Sequence, residues 1–184
     1  MSISAKEVQE LRKISGAGMM ECKSALSESG GDLNIAFKLL REKGIAKAEK
    51  KSTRDANEGL IGVKVQSGKA AIIEINSETD FVSRNKEFHM LVNSILDISI
   101  VNDETPLSEN EKVIDLINDA VGKIGENIVL RRSGFLDGNI YSYVHNSVCD
   151  GMGKIGVILS LDSDNDNISE IGKNLCMHIA AINP

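Results

Sequence analysis

The stretch GLIGVKVQSGKAAIIEIN, residues 59–76, has the pattern of a β-hairpin. Two strand-like apolar runs, 59–66 and 69–76, flank the dipeptide Ser67–Gly68, and a polar residue followed by glycine is typical of a two-residue turn. A helical pattern follows at approximately 86–98. Its apolar positions are Phe88, Leu91, Val92, Ile95 and Leu96. The sequence therefore predicts two antiparallel strands followed by a helix that can cover one face of the pair.

The residues before the hairpin have helical spacing and predict three short helices within 1–44. Ser4 and Glu7 fit a capping box at the first helix, and Asp32 can cap the third. Glycines separate the helices, and Gly44 is expected to end the third. The three apolar stripes are Val8, Leu11, Ile14; Met19, Cys22, Ala25, Leu26; and Leu33, Ala36, Phe37, Leu40. We expect a three-helix bundle at 1–44 and a basic connector at 45–58.

The residues after the hairpin predict a further helix and strand, and then a second set of strand-like runs. Ser108 and Glu111 fit a capping box that opens the helix, and NIVLRRSGFL, 127–136, is strand-like. The helix has its apolar positions at Val113, Ile114, Ile117, Val121 and Ile124. The runs NIYSYVHN (139–146) and GKIGVILSLD (153–162) are strand-like. In the helical run 168–182 the apolar spacing falls on Ile171, Leu175, Ile179 and Ile182.

The two strand–strand–helix patterns resemble each other, since GLIGV at 59–63 and GKIGV at 153–157 share a G-x-I-G-V start. The predicted fold class is α+β. A three-helix module precedes two related ββα-type subdomains with antiparallel sheets, at 59–138 and 139–184. The second subdomain has no counterpart to the last helix and strand of the first, so we expect it to be incomplete.

Composition narrows the classes of function. Hydrophobic residues make up 41% of the 184, which allows a packed core, and the formal net charge of −6 disfavours nucleic-acid binding. No apolar stretch approaches the ~18 residues of a membrane span, and the first residues do not resemble an export signal. The three cysteines, at 22, 149 and 176, suit reduced thiols. We expect a cytoplasmic protein without direct nucleic-acid or membrane partners.

Two loops imitate ligand-binding motifs. Gly151, Gly153 and Gly156 spell G-x-G-x-x-G, but a β-type run follows where a dinucleotide site needs a helix. The acidic run at 162–167 begins like a calcium loop with Asp162, Asp164 and Asp166. Asn167 and Lys173 then stand at the glycine and closing glutamate positions. We interpret both loops as turns.

Four possible metal or thiol ligands lie in the second half of the chain: His145, Cys149, Cys176 and His178. Their spacing is not that of a zinc site, and no third residue is placed to activate a cysteine–histidine pair. Nothing in the sequence predicts an enzyme, a catalytic residue, a cofactor or a bound metal.

The segment INSETDFVSRNKEF, residues 75–88, is the remaining candidate site. Ser77 and Asp80 fit a capping box, and Phe81 could pack inward beside Val82. Phe81 could equally be an exposed anchor for a partner protein, with Asp80 as its polar neighbour. The pattern alone leaves both interpretations open.

Several motifs in a fixed order resemble a known family. They are ELRKISGAGMMECKSALSESGGDLNIAFKLLREKGIAKAEKK (10–51), ETDFVSRNKEF (78–88), GKIGENIVLRR (122–132), YSYVHN (141–146), GKIGVILSL (153–161) and MHIAAINP (177–184). Through them the chain resembles the bacterial elongation factor Ts family. The resemblance implies a guanine-nucleotide exchange factor for elongation factor Tu, active in translation elongation during protein biosynthesis.

The resemblance also implies roles for individual residues. A ubiquitin-associated-like (UBA-like) three-helix module would grip the G domain of the partner, with Met19, Met20 and Lys23 nearby. The four residues of the TDFV motif, Thr79, Asp80, Phe81 and Val82, would intrude on that domain, dislodge its Mg²⁺ and loosen GDP. Ile124 and Gly125 would support this contact, while His145 and His178 would touch the partner elsewhere.

Two further expectations accompany the resemblance. Family members continue beyond MHIAAINP with a helical hairpin and a further segment, so the resemblance implies a chain truncated within its second subdomain. The alternative function is a UBA-type protein-binding scaffold without exchange activity. A thiol or metal enzyme using Cys149 and His145 is the weakest alternative.

Overall fold

The computed structural model describes residues 3–101, 106–163 and 167–184. Within these ranges the fold is mixed α/β, with six α-helices and two sheets whose paired strands are all antiparallel. The chain divides into two compact units, Met1–Arg54 with Asn118–Asn127, and Asp55–Ile117 with Ile128–Pro184. The domain boundaries expected at 44, 58 and 138 stay predictions.

The first unit contains helices α1 (Ala5–Ser15), α2 (Met19–Glu28) and α3 (Leu33–Lys51). The capping box at α1 is confirmed: the Glu7 amide donates to Ser4 Oγ at 3.3 Å, and the Ser4 amide donates to Glu7 Oε2 at 2.7 Å. Asp32 caps α3 as predicted. The buried core of the three helices consists of Val8, Leu11, Cys22, Ala25, Leu26 and Ala36.

Helix α3 runs past Gly44, so the predicted helix end at this glycine is wrong. A glycine costs a helix only about 1 kcal/mol relative to alanine, and packing can override that cost. Here, Lys43 forms an ion pair with Glu28 at 2.7 Å, and Lys47 forms another with Glu21. These pairs hold the second half of α3 to α2, and the first residues of the expected connector at 45–58 are therefore helical.

The second unit contains a four-stranded sheet. Its strands are β1 (Glu58–Gln66), β2 (Lys69–Ser77), β3 (Ile128–Asp137) and β5 (Met152–Gly153), in the order β3-β2-β1-β5. The predicted hairpin is confirmed, because Gln66 pairs with Lys69 around a two-residue turn. Both turn residues have positive φ, 50° at Ser67 and 75° at Gly68, as a turn that matches the twist of the strands requires.

Helix α4 (Lys86–Ser99) packs on β1 and β2, close to its predicted range. Its buried side chains include all five that the sequence assigned to its apolar face. The helix lies so near the sheet that a Cβ atom at Gly62 would be 2.6 Å from Val92 Cγ1. Glycine in β1 therefore allows this close approach of helix and strand.

The second sheet pairs β4 (Ile140–His145) with β6 (Ile155–Ser160), and α6 (Ile168–Ile182) packs on both strands. Gly172 and Cys176 are the buried residues of α6, and Gly172 lies against the ring of Tyr141. The helix predicted at 168–182 is confirmed. Of the four apolar positions that indicated it, Ile171, Leu175 and Ile182 are exposed and Ile179 is half-buried. The side of α6 that packs on the strands is therefore the side with Gly172 and Cys176.

Helix α5 (Glu111–Ile124) follows a short 3₁₀ turn at Leu107–Glu109. The predicted capping box of Ser108 and Glu111 is not formed. Instead the Asn110 Oδ1 atom accepts hydrogen bonds from the amides of Lys112 and Val113, at 3.1 and 3.4 Å. Ser108 lies within the 3₁₀ turn, two residues too early to cap the helix. The prediction that Ile114 belongs to the apolar face is also wrong, because this side chain is exposed.

Candidate protein-interaction site

The candidate site is the segment 79–85, which we call the Phe81 turn. It joins the end of β2 to α4 and contains a 3₁₀ turn at Val82–Arg84. Helix α4 begins only at Lys86, where Asn85 Oδ1 caps it by accepting from the Glu87 amide at 2.8 Å. The expected capping box of Ser77 and Asp80 is therefore wrong. Ser77 Oγ instead donates to the Thr79 carbonyl at 3.0 Å.

Phe81 and Val82 point in opposite directions. The Phe81 side chain is 78% exposed, the largest exposed fraction among the large apolar side chains that the structure describes. Val82 is only 5% exposed, and its neighbour Ser83 is buried as well. Of the two interpretations that the sequence left open, the structure therefore has Phe81 outside. Val82 supports the turn from within rather than contributing to its surface.

The other two residues of the TDFV motif lie beside Phe81 on the turn. Thr79 is half-buried and Asp80 is exposed. The Asp80 carbonyl accepts from the Ser83 amide at 3.2 Å and from Ser83 Oγ at 2.6 Å. The turn thus presents an aromatic ring and a carboxylate next to each other, above a backbone fixed by hydrogen bonds.

Three predicted contact residues lie at the start of α2 in the first unit. Met19, Met20 and Lys23 are all exposed there. The Gly18 amide, just before the helix, donates to Glu21 Oε2 at 3.2 Å. Glu21 is also hydrogen-bonded to Lys47, and this hydrogen bond is the main reason that the pKa of the Glu21 carboxyl lies below its usual value. Two exposed thioethers beside a cation form a surface that suits an adaptable protein contact.

Ile124 and Gly125, also in the first unit, close the C-terminal end of α5. Ile124 is half-buried, and Gly125 is exposed with a φ of 87°. The Gly125 amide donates to the Val121 carbonyl at 3.0 Å, and the Gly125 carbonyl accepts from the Lys51 ammonium. A cation at the C-terminal end of a helix is favourable. Lys51 therefore stabilises the backbone that presents these two residues.

The histidines and cysteines of the second unit are not arranged as a reactive site. His145 and His178 are exposed, and the Tyr143 hydroxyl lies 3.0 Å from His145 Nδ1. Burial raises the pKa of the Cys176 thiol, and burial followed by the Asp150 charge raises that of Cys149. Both thiols therefore favour the protonated form, which is a poor nucleophile. Among residues 3–101, 106–163 and 167–184, no group of three or more His, Cys, Asp or Glu is placed to hold a metal ion.

The structure tests only one of the two loops that resemble ligand-binding motifs, the glycine-rich one. Gly151 lies in a turn, Gly153 in β5 and Gly156 in β6, which confirms the interpretation of G-x-G-x-x-G as a turn between strands. In the acidic run, Asp164 and Asp166 lie outside the described residues.

None of the helices in the described part of the chain is long and apolar enough to cross a membrane.

Sequence reasoning missed the residues that hold the Phe81 turn. Ser83 and His89 are the main examples, since His89 Nε2 lies 2.7 Å from the Ser83 carbonyl oxygen. A hydrogen bond to a backbone carbonyl leaves no pattern in the sequence. Asn85 could have been found, because asparagine is a preferred N-cap residue immediately before a helix.

The chain is similar to known proteins along its whole length. A family model described as "Elongation factor TS" matches residues 78–184. The chain is 48% identical over 192 residues to the elongation factor Ts of Paracoccus denitrificans, covering 100% of this chain and 64% of that protein. It is 48% identical over 195 residues to the elongation factor Ts of Agrobacterium fabrum, covering 99% of this chain and 63% of that protein.

A third relative, the elongation factor Ts of Rhizobium leguminosarum bv. trifolii, is 49% identical over 195 residues, with 99% of this chain and 63% of that protein covered. The chain thus spans somewhat less than two thirds of the length of these curated relatives. The family model covers more than half of the chain and begins at Glu78, immediately before the TDFV motif. This chain therefore belongs to the elongation factor Ts family.

Proposed function

We propose that this chain is a guanine-nucleotide exchange factor that promotes GDP release from elongation factor Tu during translation elongation in the cytoplasm. The observation that carries the proposal is the exposure of Phe81 on a turn whose neighbouring side chains, Val82 and Ser83, are buried. An aromatic ring held in water has apolar surface to bury against a partner. Membership in the elongation factor Ts family supports the identity of that partner.

The mechanism follows from thermodynamic coupling rather than from bond-making chemistry. A factor accelerates GDP loss when it binds the nucleotide-free partner more tightly than the GDP-bound partner. Coupling is reciprocal, so the incoming nucleotide weakens the binding of the factor and releases it. No catalytic residue or cofactor of this chain takes part in such a cycle.

The Phe81 turn supplies the differential contact in this proposal. Phe81 enters an apolar pocket of the G domain near the bound Mg²⁺ and phosphates, and Asp80 lies beside it. The binding free energy that Phe81 gains in the nucleotide-free complex offsets the free energy that the partner loses when its contacts with Mg²⁺ and GDP are broken. Thr79 lies beside Asp80 in this motif, and the buried Val82 supports the turn from within. Ile124 and Gly125 of the first unit contribute to binding of the G domain.

The first unit provides affinity. A UBA-like module of α1–α3 binds the G domain, with Met19, Met20 and Lys23 at the contact, all three of which are exposed. His145 and His178, which are also exposed, contact the partner elsewhere. In this arrangement the helical module holds the partner, and the Phe81 turn acts on its nucleotide site.

The test is GDP release from elongation factor Tu loaded with a fluorescent GDP analogue, measured with increasing concentrations of the chain. We expect the release rate to rise and then saturate. A parallel titration should give tighter binding to nucleotide-free than to GDP-bound elongation factor Tu. Equal affinity for the two forms, with an unchanged release rate, would contradict exchange activity.

The second candidate function is a protein-binding scaffold without exchange activity. The exposed pair Met19 and Met20 favours it, because this surface suits binding whether or not a nucleotide is displaced. The same two measurements separate the candidates. Tight binding with an unaltered GDP off-rate supports the scaffold, whereas accelerated release supports the exchange factor.

A further inference from the structure

Most backbone carbonyls of the Phe81 turn accept hydrogen bonds. Five consecutive carbonyl oxygens, from Thr79 to Ser83, accept at least one each. Ser77 Oγ donates to Thr79, and both the Ser83 amide and Ser83 Oγ donate to Asp80. The Arg84 amide donates to Phe81, the Asn85 amide to Val82, and His89 Nε2 to Ser83. A loop with this many satisfied backbone groups has few alternative conformations of similar energy.

Two of these donors connect distant parts of the turn. Ser83 Oγ reaches back to the Asp80 carbonyl at 2.6 Å, reinforcing the weaker bond from the Ser83 amide at 3.2 Å. His89 Nε2 lies 2.7 Å from the Ser83 carbonyl. A carbonyl oxygen only accepts, so Nε2 carries the proton in this contact. His89 thereby connects the first turn of α4 to the residue that also fixes Asp80.

His89 is much less exposed than Phe81. Its ring is half-buried, and its amide donates to the Asn85 carbonyl at 3.1 Å as part of α4. Ser83 is only 3% exposed. Their side chains contact the Asp80 and Ser83 carbonyls, which lie on either side of Phe81 in the chain.

We propose that Ser83 and His89 are positioning residues that hold the Phe81 turn in the conformation that a partner binds. The proposal rests on the proposed exchange function, which it deepens. A partner that binds a preformed turn does not have to order it, and this raises affinity without adding a contact. Loss of the His89 donor would leave the turn in the bound conformation for a smaller fraction of the time, which weakens apparent affinity in proportion.

The experiment compares His89→Leu, which removes the donor, with His89→Gln, which keeps an N–H donor on a side chain of similar reach. Ser83→Ala, which removes only the hydroxyl, is a second and milder variant. Hydrogen exchange of the Ser83, Arg84 and Asn85 amides reports the order of the turn in the free chain. Release of fluorescent GDP from elongation factor Tu, at a factor concentration well below saturation, reports the functional effect.

We expect faster amide exchange in His89→Leu and Ser83→Ala, and amide exchange close to wild type in His89→Gln. The loss of one hydrogen bond should reduce GDP release by about fivefold in His89→Leu. In a Phe81→Ala background, His89→Leu should cause no further reduction, because its effect passes through Phe81.

Unchanged exchange of the three amides in both His89→Leu and Ser83→Ala would overturn the proposal. An equal slowing of GDP release by His89→Leu with and without Phe81 would also overturn it. A wild-type chain that does not stimulate release contradicts the proposed function instead, and the amide exchange rates still decide whether His89 and Ser83 hold the turn.

Discussion

Phe81 and Val82 are consecutive residues with opposite environments, 78% and 5% exposed. The 3₁₀ turn that begins at Val82 directs one side chain into the unit and leaves its neighbour in water. In the proposed function, stability and partner binding therefore depend on different residues of the same turn. A substitution that affects one property need not affect the other.

The first prediction compares Val82→Ala with Phe81→Ala. Removing two buried methyl groups should lower the free energy of unfolding by about 2 kcal/mol. Truncating the exposed ring should change it by no more than about 0.5 kcal/mol. Urea unfolding followed by circular dichroism measures both. Equal destabilisation by the two substitutions would mean that Phe81 is packed in the folded chain.

The second prediction concerns the start of α5. Asn110→Ala removes the side chain that accepts from the Lys112 and Val113 amides, and should cost about 1 kcal/mol of stability. Ser108→Ala is the matched control. Ser108 is exposed and lies outside the helix, so its substitution should change stability by less than about 0.5 kcal/mol. If urea unfolding shows a larger loss of stability in Ser108→Ala than in Asn110→Ala, then Ser108 rather than Asn110 caps the helix, as in the predicted capping box of Ser108 and Glu111.

A third prediction uses two glycines in helices. A Cβ at Gly44 in α3 would have no atom within 4 Å other than those of the adjacent helix backbone, so Gly44→Ala should stabilise the chain by about 0.5–1 kcal/mol. A Cβ at Gly172 in α6 would lie 2.3 Å from Tyr141 Cγ, so Gly172→Ala should destabilise by about 1–3 kcal/mol. Thermal unfolding distinguishes the two signs. Destabilisation by Gly44→Ala would contradict a continuous α3.

The fourth prediction concerns the ion pair of Glu21 and Lys47. Lys47→Met removes the hydrogen bond that chiefly lowers the pKa of Glu21, so this pKa should rise toward its usual value. A lowered pKa in the folded state means that the pair stabilises the chain above the ordinary glutamate pKa, about 4.3. This contribution is lost as the pH falls through the folded pKa. The stability difference between wild type and Lys47→Met should therefore shrink in acid.

Carbon-13 NMR titration of the Glu21 carboxyl measures the pKa directly. Lys50→Met removes the same charge from an exposed position of α3 and serves as the control. It should leave the Glu21 titration almost unchanged. An equal response to both substitutions would show that general charge, rather than the Lys47 hydrogen bond, sets the pKa.

The features that the sequence predicted well depend on neighbouring residues. The turn at Ser67–Gly68, the capping box of Ser4 and Glu7, and the cap at Asp32 are each defined by residues within three positions of one another. Local hydrogen bonds and backbone preferences decide such features, and tertiary contacts then reinforce them. The range of α4 was also predicted closely, because its apolar residues recur at helical spacing along the whole segment.

The features that the sequence predicted wrongly depend on contacts between distant residues. Gly44 does not end α3, which is tied to α2 by ion pairs from Lys43 and Lys47. Helix α6 buries Gly172, close to Tyr141, and Cys176 rather than the apolar positions of its helical spacing. Periodicity identifies a helix, but it does not identify which of two adjacent faces meets the sheet.

The candidate site was predicted in part. The sequence singled out Phe81 but could not decide its direction, because a single aromatic residue between polar neighbours fits a packed and an exposed position equally well. The exposure of Phe81 depends on the 3₁₀ turn that buries Val82. The contact between His89 and the Ser83 carbonyl is set by α4 and the turn together.

Whether Phe81 is the anchor is decided by the rate of GDP release from elongation factor Tu that Phe81→Ala stimulates. Met90→Ala is the matched control, since Met90 is also a highly exposed apolar side chain, on α4. If Phe81 is the anchor, Phe81→Ala should reduce the stimulated rate at subsaturating factor by about thirtyfold, as expected for a 2 kcal/mol anchor. Met90→Ala should leave the rate near that of wild type. Equal rates from folded wild type and folded Phe81→Ala would show that Phe81 is not the anchor.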